Sequence, residues 1–323
     1  MKKWIAKALV QKAVSFLPFS HSINELFQKW VTKGILLTDE YFIDRLEHAK
    51  NHLHFSAVIT GNSRPESFLE IGTGWYPVVP VSMFLTGAEK IYSIDISALT
   101  NKKRLILTLQ KFVVYHNNGI LQCYLSYQPQ KFQRLIEILQ QSNTTVFEKL
   151  CSELQIHFKI GDARNMPFLK DNEIGLVTSN NTFEHIYPDV LMGILKELKR
   201  VIKPDGVLSH FIDMSDHFAH FDKSITIYNF LKFSDRQWKL IDNRIQPQNR
   251  LRVHEYRTMY ADLGIPINIE SVREGDLQEL QSIHLTEKYK TGSLRDVAVS
   301  HCYLVSSIGI NKEVNQLEPS NAG

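Results

Sequence analysis

Apolar positions along this chain change period from one stretch to the next. Up to about residue 60 they recur at helical spacing, and Ile5, Ala8, Leu9, Ala13, Phe16 and Leu17 fall on one face. Pro18 and Gly34 interrupt this region, which predicts a helical cap over 1–60. The pattern then alternates between short apolar runs and helical stripes. Runs at Ser67–Thr73, 90–96, Ile156–Ile160, Glu173–Ser179 and Val207–Asp213 predict buried strands. Between them, 77–86 predicts a helix, and Leu191, Ile194, Leu195 and Leu198 form the face of another behind Pro188. A turn at Lys203-Pro204-Asp205-Gly206 leads into the fifth strand. Tyr256, Tyr260 and Leu263 mark a helix ending at Gly264. Two last strands are expected at 267–273 and 297–307, and a disordered tail over 311–323.

About 60 residues separate Asp95 from the third strand, far more than a crossover needs. Phe132, Leu135, Ile136 and Leu139 make one helical stripe there. Phe147, Leu150, Cys151 and Leu154 make another, with Thr145 and Glu148 at capping-box spacing. The segment at about 99–155 therefore reads as a helical insertion after the second strand. It either covers the pocket or packs beside it.

The chemistry gathers where the first strand ends, at Glu70-Ile71-Gly72-Thr73-Gly74. Two glycines there let the backbone turn sharply and approach a ligand. The second strand ends in Asp95, placed to accept hydrogen bonds from a ribose diol. A dinucleotide site would show a third glycine, but Trp75-Tyr76-Pro77 follows instead. A dehydrogenase remains an alternative that NADH binding would reveal.

This E-x-G-x-G pattern resembles the first motif of class I S-adenosylmethionine (SAM)-dependent methyltransferases. The order of signals from 67 to 307, about three quarters of the chain, resembles that family too. The resemblance implies a Rossmann-like α/β fold: a seven-stranded, mostly parallel sheet with an antiparallel last hairpin, here the domain 61–310. It implies SAM as cofactor. Glu70, Gly72, Thr73 and Gly74 would hold its methionine part, Asp95 its ribose, and Asp162 and Ala163 its adenine. Asn180 and Asn181 would sit beside the methyl-transfer point. Some relatives carry an E-x-x-E-H metal motif after the fourth strand. Here Asn181 replaces the first Glu, so no metal is expected, with Glu184, His185 and His217 as the candidates were one bound.

An oxygen acceptor needs a base or a metal. His185 and the group Asp213, Asp216, His217, His220 and Asp222 supply titratable side chains after the fourth and fifth strands. Asp216 and His217 are the expected pair for acceptor deprotonation, with His185 and His220 nearby. Asn249-Arg250-Leu251-Arg252 offers guanidinium forks suited to phosphate or carboxylate, and Tyr228, Phe230, Phe233 and Trp238 could stack on a sugar.

Composition narrows the partners. With 43% hydrophobic and 22% charged residues the chain reads as an ordinary globular protein. A net charge of +3 and the lack of a basic stripe disfavour DNA and RNA. Cys123, Cys151 and Cys302 form no C-x-x-C pair, which fits a reducing cytoplasm. Lys7, Gln11 and Lys12 break the N-terminal apolar region, so secretion is not expected. That amphipathic helix either packs on the protein or touches a membrane surface. The expected function is O-methylation of a small-molecule or glycan-type acceptor. An RNA methyltransferase and a non-catalytic SAM-binding partner are the alternatives; the oligomeric state is not legible.

Overall fold

The first strand, β1 (Ser67–Ile71), is buried along its whole length. The computed structural model of the chain describes residues 3–15, 36–244 and 246–310. The expected tail lies outside them, as do Phe16, Leu17, Pro18 and Gly34. Around β1 the sheet adds β2 (Lys90–Asp95), β3 (Ile156–Ile160), β4 (Ile174–Asn180), β5 (Ile202–Asp213), β6 (Ile269–Arg273) and β7 (His301–Ser306). The strand order is β3-β2-β1-β4-β5-β7-β6. The first five strands run parallel, and β7 is antiparallel to both β5 and β6. The seven-stranded α/β fold expected from the sequence is present. Its order reverses between β1 and β4, so a crevice opens at the carboxyl ends of those strands.

Side chains alternate across the sheet and divide the core in two. Phe68 joins Phe42, Leu46, Phe84 and Phe112 on one face, whereas Leu69 and Ile71 join Leu191, Leu195, Tyr256 and Tyr260 on the other. Glu70 therefore faces the same way as Phe68. The first face is covered by α2 (Asp39–Thr60) and by α3 (Val78–Thr86). Thr38 caps α2, accepting from Tyr41 N, and Gly61 closes it in the left-handed region. Lying on the sheet, α2 points side chains at the strand tips.

The insertion between β2 and β3 is helical. It comprises α4 (Lys102–Asn117), α5 (Pro129–Gln141) and α6 (Phe147–Glu153). Leu105, Leu109 and Phe112 bury α4's stripe, which the sequence reading passed over. The expected capping box before α6 does not form. Val146 takes the cap position, and Thr145 Oγ1 donates back to Gln141 O over 2.9 Å.

The other face carries α7 (Pro188–Val201) and α10 (Val253–Asp262), named in chain order with α8 (His217–Phe221) and α9 (Asp235–Ile241) between them. A third apolar cluster receives α1 (Lys3–Val14). Trp4 sits between Phe218 and Phe233, at ring distances of 5.9 and 5.8 Å, and its amide donates to Asp222 Oδ2. Lys12 Nζ donates to Asp242 O. Trp4, Ala8 and Gln11 are the buried side of α1, while Leu9, expected on the apolar face, is exposed. The side of α1 that carries Trp4 and Ala8 is thus covered by protein, and Leu9 and Val10 face outward. No helix among the described residues is long and apolar enough to cross one.

Candidate cofactor and acceptor site

Gly72 and Gly74 carry the chain out of β1 with φ of +85° and +65°, in the region that side chains with a Cβ avoid. Space is as decisive as conformation at Gly72: a Cβ there would lie 2.3 Å from Thr182 Oγ1. The turn is pinned from β2. Gly72 N donates to Ile94 O, and Gly74 N donates to Asp95 Oδ2 over 3.1 Å. Thr73 Oγ1 pairs with Ser93 Oγ at 2.6 Å, and Ser93 Oγ lies 3.1 Å from Glu70 Oε2.

This turn forms the floor of a cavity of about 760 Å³. One end is bounded by Asp162, Ala163 and Arg164, and the middle by Asp95 and the Gly72–Gly74 backbone. The far end is bounded by Asn180, Asn181, His185 and Tyr187, with Tyr41 and Arg45 reaching in from α2. All nine residues expected to bind the cofactor therefore line one space. Burial, with Asp95 adding repulsion, pushes Glu70 up to about 8 despite Ser93 and Arg45. Burial also raises Asp95, against the backbone amides that donate to it. Asp162 is less free than its expected role requires. Arg164 holds it in a 2.5 Å ion pair, and hydrogen bonds from that guanidinium and from Arg164 N keep its carboxyl below its ordinary range.

The tip of β4 is oriented from α2. Asn180 Oδ1 accepts from His52 Nε2 at 2.9 Å, so His52 Nδ1 accepts from Ser209 Oγ at 2.7 Å. Burial holds His52 down at about 4, consistent with this neutral tautomer. Arg45 is a second residue that sequence reasoning missed. Its guanidinium lies over the Tyr41 ring, 5.1 Å from the centroid, and 3.5 Å from Asn181 Oδ1. Its Nε is buried without a hydrogen-bond partner.

Beyond Asn181, a 3₁₀ turn over Phe183–His185 turns two titratable side chains inward. Pro247 O is 2.6 Å from His185 Nδ1. A carbonyl only accepts, so Nδ1 carries the proton and Nε2 keeps its lone pair. Burial and the neighbouring His217 hold His185 down at about 4. Glu184 is 4% exposed, and neither carboxylate oxygen has a hydrogen-bond partner. Burial, then repulsion from Asp213, raises it well above the carboxylate range.

Asp213, at the end of β5, is the hub behind this turn. His217 Nε2 lies 3.4 Å from it, His301 Nε2 3.5 Å and His220 Nε2 3.7 Å. Burial opposes its charge, but His217, His220 and His301 outweigh that and hold its carboxyl well below the usual range. His217 stands behind His185, at a ring distance of 4.9 Å, rather than on the cavity wall. The expected Asp216–His217 pair is not assembled. Asp216 caps α8 instead, accepting from Phe218 N at 2.8 Å and Asn229 Nδ2 at 3.0 Å, so both oxygens are used. His220 is half exposed and approaches Ser215 Oγ at 3.1 Å.

Two further expectations are corrected. Arg250 is buried and donates to Phe230 O, Phe233 O and Asp235, and Arg252 donates to Met214 O and Val299 O. Asn249 Nδ2 donates to Phe183 O and Ile186 O. These groups fasten loops to one another and offer no fork to a ligand. Tyr228, Phe230 and Trp238 are core residues of the cluster that receives α1, and Phe233 packs against it.

Residues 119–210 match the family model described as a methyltransferase domain. The match covers only part of the chain and agrees with the resemblance read from its Glu70–Gly74 turn. The matched segment holds the later part of the insertion, β3, β4, α7 and most of β5. The Glu70–Asp95 region precedes it, so the cofactor turn rests on its own geometry. No curated protein matches the chain. Similar solved structures include a candidate sarcosine dimethylglycine methyltransferase from Galdieria sulphuraria. It is 12% identical with a TM-score of 0.43, over 84% of this chain and 87% of that one. Others are the PH0226 protein from Pyrococcus horikoshii OT3 (14%, 0.38, over 76% and 82%) and geranyl diphosphate C-methyltransferase from Streptomyces coelicolor A3(2) (11%, 0.42, over 79% and 77%).

Proposed function

We propose that the protein is a class I SAM-dependent methyltransferase that moves the methyl group of SAM to an oxygen of a small-molecule or glycan-type acceptor. The observation that carries the reading is the single cavity running from Asp162 and Asp95, past the glycine turn, to His185. Its volume is large enough for a cofactor and a small acceptor side by side. In this reading Asp162 and Ala163 meet the adenine and Asp95 the ribose. Glu70, Gly72, Thr73 and Gly74 meet the methionine part, whose carboxylate fits the buried Arg45 guanidinium. Asn180 and Asn181 border the sulfonium.

The transfer is an in-line displacement. An acceptor oxygen lone pair forms the new O–CH₃ bond while the S–CH₃ bond breaks. Its electron pair stays on sulfur, leaving S-adenosylhomocysteine, and the acceptor proton passes to solvent. Most of the work is alignment, to which a glycine-floored slot and a fixed Asn180 are suited. At the acceptor end, His185 is the group on the wall, with His217 and Asp213 behind it. Three free thiols, Cys123, Cys151 and Cys302, fit a cytoplasmic setting.

Calorimetry with SAM and S-adenosylhomocysteine tests the cofactor part, with binding expected for both and lost in Asp95→Ala. Mass spectrometry of a cell extract incubated with enzyme and isotope-labelled SAM tests the acceptor part. Label on an oxygen of a small metabolite or glycan is expected; label on carbon, nitrogen or RNA would reject the O-methylation reading.

A further inference from the structure

We propose that Glu184, His185 and His217 form a divalent-cation site at the acceptor end of the cavity. The first observation is proximity: one ligand atom from each of the three lies within 4.8 Å of the others. The second is independent of it. Glu184 is buried, yet both its oxygens lack hydrogen-bond partners. A carboxylate removed from water without partners is costly, and a cation in front of it would offset that cost. The third is tautomeric. His185 spends its Nδ1 proton on Pro247 O, which leaves the Nε2 lone pair for a ligand and fixes the ring. His217 Nε2 is likewise buried with no hydrogen bond.

Two imidazoles and a carboxylate are a donor set that zinc-type cations accept while keeping a further position open. Closed tetrahedral zinc sites hold their donors roughly 3.4 Å apart. The three groups would therefore draw in by up to about 1.4 Å. A second trio, Asp213, His217 and His220, also lies within 4.8 Å. It shares His217, so one cation excludes the other. Half-exposed His220 and the hydrogen-bonded Asp213 need a cation less than orphaned Glu184 does.

The inference rests on the reading above and deepens it. Because His185 lines the cavity, a cation there meets the acceptor. When bound it supplies a positive charge that lowers the acceptor hydroxyl's pKa. The acceptor then brings oxygen donors, such as adjacent hydroxyls or a hydroxyl beside a carboxylate.

The test is metal content, read without activity. Purified enzyme is expected to carry close to one equivalent of zinc by elemental analysis. After chelation it is expected to take up Co²⁺, with the visible absorption of a low-coordinate site. Glu184→Gln and His217→Ala should each weaken Co²⁺ binding at least a hundredfold, while calorimetric SAM binding persists and shows the fold intact. His220→Ala should retain the metal. A protein that binds SAM but no Zn²⁺ or Co²⁺ overturns the cation site alone. Metal binding without SAM binding overturns the cofactor reading instead. Loss of metal in His220→Ala but not in Glu184→Gln assigns the ion to the other trio and rejects this one.

Discussion

Gly72 concentrates the argument for the cofactor slot in one residue. Its φ of +85° alone would strain an alanine by about 1–2 kcal/mol. The Cβ would also displace Thr182, 2.3 Å away, which closes the slot's floor. Gly72→Ala is therefore expected to weaken SAM binding at least tenfold by calorimetry. Gly61→Ala is the control, since Gly61 has a φ of +74° but open space around it. It should lower thermal stability slightly and leave SAM affinity unchanged. Glu70 gives a pH prediction. It titrates at about 8 in the folded chain, against an ordinary 4.5. The raised value means its contribution to stability is full below pH 4.5 and is lost as pH climbs to about 8. Relative to Glu70→Gln, the ligand-free wild type should lose at most about 1.4 kcal/mol for each pH step across that window. Melting curves from pH 5 to 8 check this; a constant difference between the two proteins would refute it. The glycines and Asp95 were legible because only certain residues fit such a turn. Arg45 and His52 were not, for an arginine and one of 13 histidines on a helix carry no local mark of facing a cavity.

Elements whose period matches their burial were read correctly: the strands, α7 and, in the insertion, α5 and α6, whereas α4 was missed. Misreadings fell where polar residues are tied down by tertiary partners. Asn249, Arg250 and Arg252 look like a ligand fork in the sequence, yet each is committed to loop carbonyls. Arg252 is fully buried and bridges Met214 O, beyond β5, to Val299 O, ahead of β7. A sequence cannot distinguish a guanidinium waiting for phosphate from one holding two carbonyls. The distinction is measurable. Arg252→Met should destabilise the fold by about 2–4 kcal/mol, because two buried carbonyls lose their donors. At a temperature where the variant stays folded, its SAM affinity should match the wild type. Asp216 follows the same logic: a carboxylate beside a histidine suggested a base pair, and the helix N-terminus claimed it.

Across the whole molecule, two parts added to the sheet border different ends of the cavity. The insertion reaches the end proposed for adenosine. Phe147 and Cys151 of α6 line a recess of about 340 Å³ that shares Asp95 and the 97–99 segment with the main cavity. The end proposed for the acceptor is bordered by Tyr41 of α2 and by Arg244 and Gln246. The sequence left open whether the insertion covers the pocket or packs beside it. This division supports an effect on cofactor grip and none on acceptor choice. Phe147→Ala removes the ring that stacks on Phe158 at 5.8 Å and loosens the recess under the 97–99 segment. It should raise the SAM Kd several-fold and leave the acceptor KM unchanged. Arg244→Ala should do the reverse, raising the acceptor KM with little change in SAM affinity. Paired calorimetry and steady-state kinetics on both variants decide the matter, once the acceptor is in hand. An acceptor KM that moves with Phe147 would mean the insertion reaches over the transfer point and the two ends are not independent.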